Sequence, residues 1–506
     1  MCSIAGIYYF DGFEANIDNT SELVMDALNV LKNRGPDESS IEVASNNCVM
    51  GGNRLIIRGD FGEGSMPFEY KGNICFYNGE IYNHKEFSGN ICSDGEILLP
   101  LYEKSGLDMF NQLDGEFAIS IWDDKRKALI LARDQFGTKP IYFSLNERRI
   151  LWGSSATSIN EMEKHPLCSS YKSPVYKHTY SVQEPYTSYS GIWLLPPGHY
   201  LLITESHAKL CCYNVWKEAD LNETDTADLF VSLENSLATR LEYNGVIGIP
   251  MSSGVDSGII TFAADKMNIP YHVFSMVEMF GKETEETYYI YKRLERLKNY
   301  TNVTLLKCNE EEFNNALDTM FLPDYYDSEE FGTGNIATYV VFNSMKKANI
   351  RVAIDGAGGD ELFHGYLFRD DFGPIKGWPL WWQKCNYYYS LFTTLLDYTR
   401  KVDRSGAHFS IETRFPYQCV SLMKIASSLK IDTQLKWPLR KYLLENLDYG
   451  KPLEVDLNKK FGFSLKNRDQ SSIIDKMITS WCRAKKIWQL PTSPAKKFPF
   501  RIGIDN

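Results

Sequence analysis

Residues 245–260 read GVIGIPMSSGVDSGII, which is a short apolar run, a Ser/Gly turn and the opening of a helix after Ser257. Backbone N–H groups at such a turn point toward the helix entrance and can cradle an anion. Downstream, the strand-like runs YHVFSM (271–276), NVTLLK (302–307) and RVAIDG (351–356) are separated by helical stretches, one of them a long helix around Glu285 to Lys298. Strands alternating with helices predict an α/β doubly wound parallel sheet with its ligand site at the carboxyl ends of the strands.

Upstream, the polar stretch LNETDTAD (221–228) leads into a helix whose Leu229, Leu233, Leu237 and Leu241 share one face. A chain of 506 residues exceeds what one hydrophobic core usually supports. The boundary therefore falls at this stretch, giving domains over 2–215 and 222–506. The first domain alternates short strand-like runs, among them CSIAGIYYF, CVMGGNRLII and FAISIWDD, with turn residues. Two helices are expected there, one after Ser21 with Val24, Leu28 and Leu31 on a face, the other around Glu96 to Lys104. The pattern predicts an α+β layered sandwich.

Composition excludes several classes. A net charge of −11 without a dense Lys/Arg block offers no footprint for a phosphate backbone, so nucleic acid is not an expected partner. The 11 cysteines are scattered with no zinc-like spacing, which fits reduced thiols in a cytoplasmic protein. The start MCSIAGIYYFDGFE has neither a basic segment nor a long apolar run. The apolar stretch Trp378 to Tyr398 carries Gln383, Lys384, Asn386 and Asp397, which argues for a buried or partly buried helix and against a membrane span.

Cys2 acquires chemical interest once Met1 is removed, because its thiol then lies beside a free α-amine and one residue supplies nucleophile and base. The plainer alternative is a thiol packed into the first strand. Polar motifs recur at expected turns: NRGPDES (33–39), GNRLIIRG (52–59), YNGEIYNH (77–84), SDGE (93–96) and LDGEFA (113–118). On its own, Asn78-Gly79 reads equally as a type I′ hairpin turn.

With ARDQFGTKPIYF (132–143) and the LPPGH turn (195–199), these motifs resemble the class II glutamine amidotransferases, and among them the glutamine-hydrolysing asparagine synthetases, over nearly the whole length. The resemblance implies that Cys2 attacks the glutamine side-chain amide, with Asn78 and Gly79 stabilising the oxyanion. It implies Arg54 for the α-carboxylate of glutamine, Asp94 for its α-amine, and Glu80 as a further contact.

In the second half, PMSSGVDSG (250–258) resembles the S-G-G-x-D-S pyrophosphate loop of enzymes that cleave ATP to AMP, with Ser253 in place of its first glycine; an ordinary Gly/Ser turn is the alternative. IDGAGGDELFHGY (354–366) is similar to the family's second acidic segment, with Ala357 where an acidic residue is usual and His364 where a glycine is usual. The implied ATP and pyrophosphate residues are Ser252, Ser253, Gly254, Asp256, Ser257, Gly356 and Asp360. Asp256 and Asp360 are also the implied Mg2+ ligands. Lys460, in NKKFGFSL (458–465), is the implied cation for the synthetase transition state, with Lys459 beside it as the bland alternative.

The expected reaction adenylates a carboxylate, aspartate by default, and amidates it with ammonia from glutamine. ATP with Mg2+ is required and no prosthetic group is expected. Alternatives left open are a sugar acid, nucleobase acid or peptide as acceptor, or a non-catalytic relative with a binding role. The oligomeric state, a homodimer included, is open too.

Overall fold

The computed structural model describes residues 1–10, 13, 15–89, 91–166, 184–205, 207–213, 226–320, 333–365, 368–369, 373–374, 390–428, 436–447 and 450–457. Most of the expected boundary stretch 221–228, the greater part of 378–398, and Lys460 lie outside these residues.

The first domain is built from β1 (Ser3–Tyr9), β2 (Glu38–Ser45), β3 (Cys48–Arg54), β4 (Phe68–Tyr70), β5 (Asn73–Ile81), β6 (Gly115–Asp123), β7 (Ala128–Arg133), β8 (Tyr142–Leu145), β9 (Arg149–Gly153), β10 (Trp193–Leu194), β11 (His199–Ile203) and β12 (Ala208–Cys212). They form two antiparallel six-stranded sheets, ordered β10-β8-β9-β1-β3-β2 and β12-β11-β7-β6-β5-β4. The alternation in β1 sends Ile4 and Tyr8 into a core shared with Phe76, Phe117 and Ile119 of the second sheet. Ala5 and Ile7 face the opposite way, toward Val24, Ala27 and Leu28. Those three belong to the helix Ile17–Val30, whose start is capped by the Asn16 side chain accepting from the Asn19 amide.

In the second domain β13 (Ile247–Pro250), β14 (Tyr271–Met279), β16 (Asn302–Cys308), β17 (Val352–Ile354) and β20 (Glu412–Arg414) pair in parallel, and the short β15 (Lys282–Glu283) adds an antiparallel edge to β14. A separate two-stranded pair joins β18 (Phe368–Arg369) to β19 (Gly373–Pro374). Each of the four expected strand-like runs becomes a strand of the main sheet. The fifth parallel strand, β20, has the sequence Glu-Thr-Arg and no apolar residue, yet all three residues are buried.

Two local expectations change. The helix expected around Glu285 to Lys298 spans only Thr287–Leu294. Its far end is cut short because the Asp265 carboxylate accepts the amides of Lys298 and Asn299. At the near end, Glu286 turns to accept the Ser253 amide at 2.8 Å. Asn78 and Gly79 are not a hairpin turn: they lie inside β5, opposite Ala118 and Phe117 of β6. Glycine is required at 79 because a Cβ would sit 2.0 Å from the Glu116 carbonyl oxygen.

Among the described residues no helix is long and apolar enough to cross a membrane. Their eight cysteines are all free thiols.

Candidate active site

Cys2 stands just ahead of β1, so its position follows from the β1–β3 and β1–β9 ladders. Its backbone N–H donates to Asn78 Oδ1 at 3.0 Å, and its carbonyl accepts from Arg34 Nε at 3.1 Å. Because Asn78 Oδ1 is the acceptor, the Nδ2 group is the other end of the amide. That Nδ2 is buried with no hydrogen-bond partner among the described residues. An unpartnered buried donor costs about 1–3 kcal/mol, so a site that keeps one beside a thiol is arranged for a visiting acceptor.

Burial pushes the Cys2 thiol above its ordinary value, opposed by the terminal amine next to it. The Met1 amine is itself buried and lies 3.8 Å from Glu412 Oε2. Burial lowers it to about 6, against the pull of the carboxylate. The Met1 side chain fills a small apolar cluster with Leu55 and Ala407. Removal of Met1 would leave an α-amine at the Cys2 nitrogen, the atom already bonded to Asn78.

Cys2, Arg54, Gly79, Glu80 and Asp94 line one cleft of about 400 Å³, counting the space shared with solvent, together with Arg58 and Glu412. The cleft thus brings together most of the first-domain residues named from the sequence. Arg54 places Nη1 on Glu38 (3.0 Å) and Nη2 on the Arg58 carbonyl (3.0 Å). Asp94 accepts the Tyr77 hydroxyl and the Ile81 amide on one oxygen, each at 2.6 Å, yet burial still raises its carboxyl. Glu80 lies between Arg58 Nε (2.6 Å) and Arg414 Nη2 (3.3 Å). Burial pushes it up to about 7, outweighing Arg414.

Sequence reasoning did not place Arg58, Glu412 or Arg414 in this site. Arg58 stood inside the quoted GNRLIIRG motif and could have been found there. Glu412 and Arg414 come from β20 of the other domain, and no local signal places them. Around them runs a buried ionic seam: Arg414 Nε to Glu412 (2.7 Å), Lys139 to Glu116 (3.3 Å), and Arg34 to Asp403 (2.9 Å). Such a seam ties the domains together, since removing one partner strands a buried charge.

The second cluster lies at the carboxyl ends of β13 and β17. The amides of the turn after β13 already have partners within the protein. Ser252 N–H donates to Ser257 Oγ (3.1 Å), Ser253 N–H to Glu286, and Gly254 N–H to Ser252 Oγ (3.1 Å). Arg293 donates to the Ser253 carbonyl at 2.8 Å and pairs with Asp456 at 2.8 Å. The Ser253 hydroxyl is fully buried beside the Glu286 carboxyl and makes no well-formed hydrogen bond among the described residues. Beyond β17, Asp355 accepts the Ala357 amide at 2.9 Å, and its carboxyl is raised by burial. Its own N–H donates to the Arg414 carbonyl at 3.0 Å.

Gly356 and Gly359 pack against Asp256, and a Cβ at Gly359 would lie 2.4 Å from its Oδ1. Lys436, another residue not anticipated as part of the site, binds both acids: Nζ contacts Asp256 Oδ2 and reaches Asp360 Oδ1 at 2.8 Å. Two carboxylates that converge on one positive centre fit a cation, so the pair named for Mg2+ has the chemistry for it.

Residues 1–214 match the family model described as a glutamine amidotransferase domain, and residues 230–384 match the asparagine synthase model. Asparagine synthetase B (glutamine-hydrolyzing) of Escherichia coli is 24% identical over 396 residues, covering 73% of this chain and 65% of its own length. Asparagine synthetase (glutamine-hydrolyzing) 2 of Bacillus subtilis is 25% identical over 400 residues, 72% of this chain and 52% of its own. Amidase chry2 of Gibberella zeae is 25% identical over 402 residues, 70% of this chain and 57% of its own. The chain thus spans about half to two thirds of the length of these relatives. With an amidotransferase domain followed by an asparagine synthase domain, it has the domain architecture of the glutamine-hydrolysing asparagine synthetases.

Proposed function

We propose that this protein is an ATP-dependent carbon–nitrogen ligase that takes its nitrogen from glutamine. The observation that carries the reading is the buried, unpartnered Nδ2 of Asn78, whose Oδ1 accepts from the backbone N–H of Cys2, a residue that lines a cleft together with arginines and carboxylates. After removal of Met1, the Cys2 thiol attacks the glutamine amide carbon and its proton passes to the Cys2 amine. Negative charge on the former carbonyl oxygen is met by Asn78 Nδ2 and the Gly79 N–H. Collapse, with the Cys2 amine returning that proton to the departing nitrogen, expels ammonia and leaves a thioester, which water cleaves to glutamate and the free thiol. Arg54, with Arg58 nearby, receives the α-carboxylate of glutamine, and Asp94 and Glu80 its α-amine.

In the other domain the acceptor carboxylate attacks the α-phosphorus of ATP, and pyrophosphate leaves. Ammonia then attacks the acyl carbon and displaces AMP. Ser252, Ser253 through its amide, Gly254, Ser257 and Gly356 surround the phosphates, and Lys460 offsets charge on the leaving group. Asp256 and Asp360 would hold Mg2+, which shields phosphate charge when bound. Aspartate is the default acceptor and the cytoplasm the proposed setting.

A second reading, a different acceptor, is favoured by Ala357. This half-buried methyl packs against the cores on both sides of the sheet, and the Asp355 carboxylate beside it is bound to the Ala357 amide. Product mass spectrometry with glutamine, ATP and a panel of carboxylic acids tests both readings. Glutamate, AMP and an amide in equal amounts are expected. ATP turnover to ADP, or no glutamate from glutamine, would overturn the ligase reading. Brisk asparagine formation from aspartate and ammonia would overturn the second.

A further inference from the structure

We infer that Lys436 is a resident cation that holds the metal carboxylates in the nucleotide-free protein and keeps a divalent ion out until nucleotide phosphates draw its ammonium away. The inference rests on the ATP-ligase reading. Its geometric basis is the double contact of Lys436 Nζ with Asp256 and Asp360. A divalent ion bound by the same two oxygens would stand a few ångströms from the ammonium, and like charges at that range repel strongly in a buried site. Lysine and metal therefore exclude each other.

Two further observations show that the pocket is shaped around the lysine. Lys436 is buried and precedes the helix Trp437–Asn446 with φ 53°, in the left-handed region that non-glycine residues seldom adopt. A cation at a helix N-terminus also opposes the helix dipole, so the helix itself gives no reason for a lysine there. The two acids supply one. Secondly, a Cβ at Gly365 would fall 1.8 Å from Asp360 Oδ1 and 2.8 Å from Lys436 Cε, so the chain stays bare where the carboxylate and the lysine stem meet.

The handover needs no bond chemistry. ATP brings several negative oxygens to the turn after β13, the ammonium moves from carboxylate to phosphate, and the vacated oxygens take the metal. Nucleotide and metal then bind as one event.

The test uses the full chain and MnCl2, with free Mn2+ read by its electron paramagnetic resonance signal. The parent should bind Mn2+ tightly only when ATP is present. Lys436→Met should bind Mn2+ without nucleotide at least about tenfold more tightly than the parent does. Lys436→Arg should behave as the parent, and Asp360→Asn added to Lys436→Met should abolish the gain. Equal affinity for Mn2+ alone in parent and Lys436→Met would overturn the inference. So would tight Mn2+ binding by the nucleotide-free parent, a measurement independent of how any variant folds. Equilibrium dialysis of radiolabelled ATP with the parent separates the two levels of failure. ATP bound without enhanced Mn2+ uptake sinks the handover while leaving the ligase reading intact, and no ATP bound sinks both.

Discussion

Each of the two sites contains a buried polar atom that its own fold leaves unsatisfied, Asn78 Nδ2 in β5 and Ser253 Oγ in the turn after β13, and the two atoms have opposite surroundings. Asn78 borders a cleft open to solvent and is clamped by an antiparallel ladder on one side and the Cys2 amide on the other. Ser253 is sealed within a turn whose amides already have partners, beside acids already holding a lysine. On the proposed function, the first site receives charge without moving, whereas the second, neutralised by its own partners, rearranges to bind. Preorganised donors favour a transition state because no reorganisation is needed when charge appears. A self-satisfied loop instead makes binding conditional on a ligand that offers better partners.

The largest expected effect is at the preorganised site. Cys2→Ala should lower glutamine hydrolysis by at least about a thousandfold while ammonia-dependent amidation persists, measured as glutamate and amide release. A chain that retains Met1, recognised by intact mass, should behave like the variant. Loss of both nitrogen sources together would erase the proposed separation of the sites.

Asn78→Ala should cost glutamine hydrolysis about 10²–10³-fold, mainly in kcat, because the lost donor acts where charge develops. A loss confined to KM would make Asn78 a binding group and remove the contrast with Ser253.

The seam between the sites should announce itself through pH. Glu80 has an ordinary carboxyl value of 4.5 and is pushed up to about 7 by burial. The folded protein thus holds this proton more tightly than the unfolded chain does. Its contribution to stability is complete below 4.5, falls as pH rises, and is lost once pH passes about 7. Thermal midpoints between pH 4.5 and 8 should therefore decline more steeply in the parent than in Glu80→Gln. Parallel curves would mean that Arg58 and Arg414 fully compensate the buried charge.

The smallest effect is expected at Ser253→Ala. Deleting a buried hydroxyl that makes no well-formed hydrogen bond should leave stability unchanged or raise it by about 1 kcal/mol in urea unfolding. ATP affinity should shift by less than about twofold, since the hydroxyl faces inward and only the amide is offered to phosphate. A tenfold loss of ATP affinity would show that the turn opens to present the hydroxyl, and would make the two orphan atoms alike.

Residues carrying a local signal were legible before the fold was known. β13, β14, β16 and β17 are apolar runs between turn residues, and the helix Ile17–Val30 shows its buried face by spacing alone. Cys2, Arg54, Asn78, Gly79, Glu80 and Asp94 sat in short motifs, and the cleft unites the five of them that line it with Asn78 at its edge. Arg58 carries the same local signal, inside GNRLIIRG. Asn78-Gly79 misled locally, because a turn and a strand glycine facing a carbonyl share the same two letters.

The sequence by itself determined the order of elements, the two-domain pattern and the polar motifs at their ends, since propensity, periodicity and motif spacing act over a few residues. Only the tertiary structure decided which groups share a site. β20 looks too short and too charged to be a strand until Lys139 donates to the Thr413 carbonyl and Arg414 pairs with Glu80 and Glu412, contacts that bury it. Lys436 follows Asp256 by 180 positions in the chain and meets it at one point. Coulomb forces and desolvation depend on distance through space, and along this chain that distance is set by how each domain folds and how the two pack.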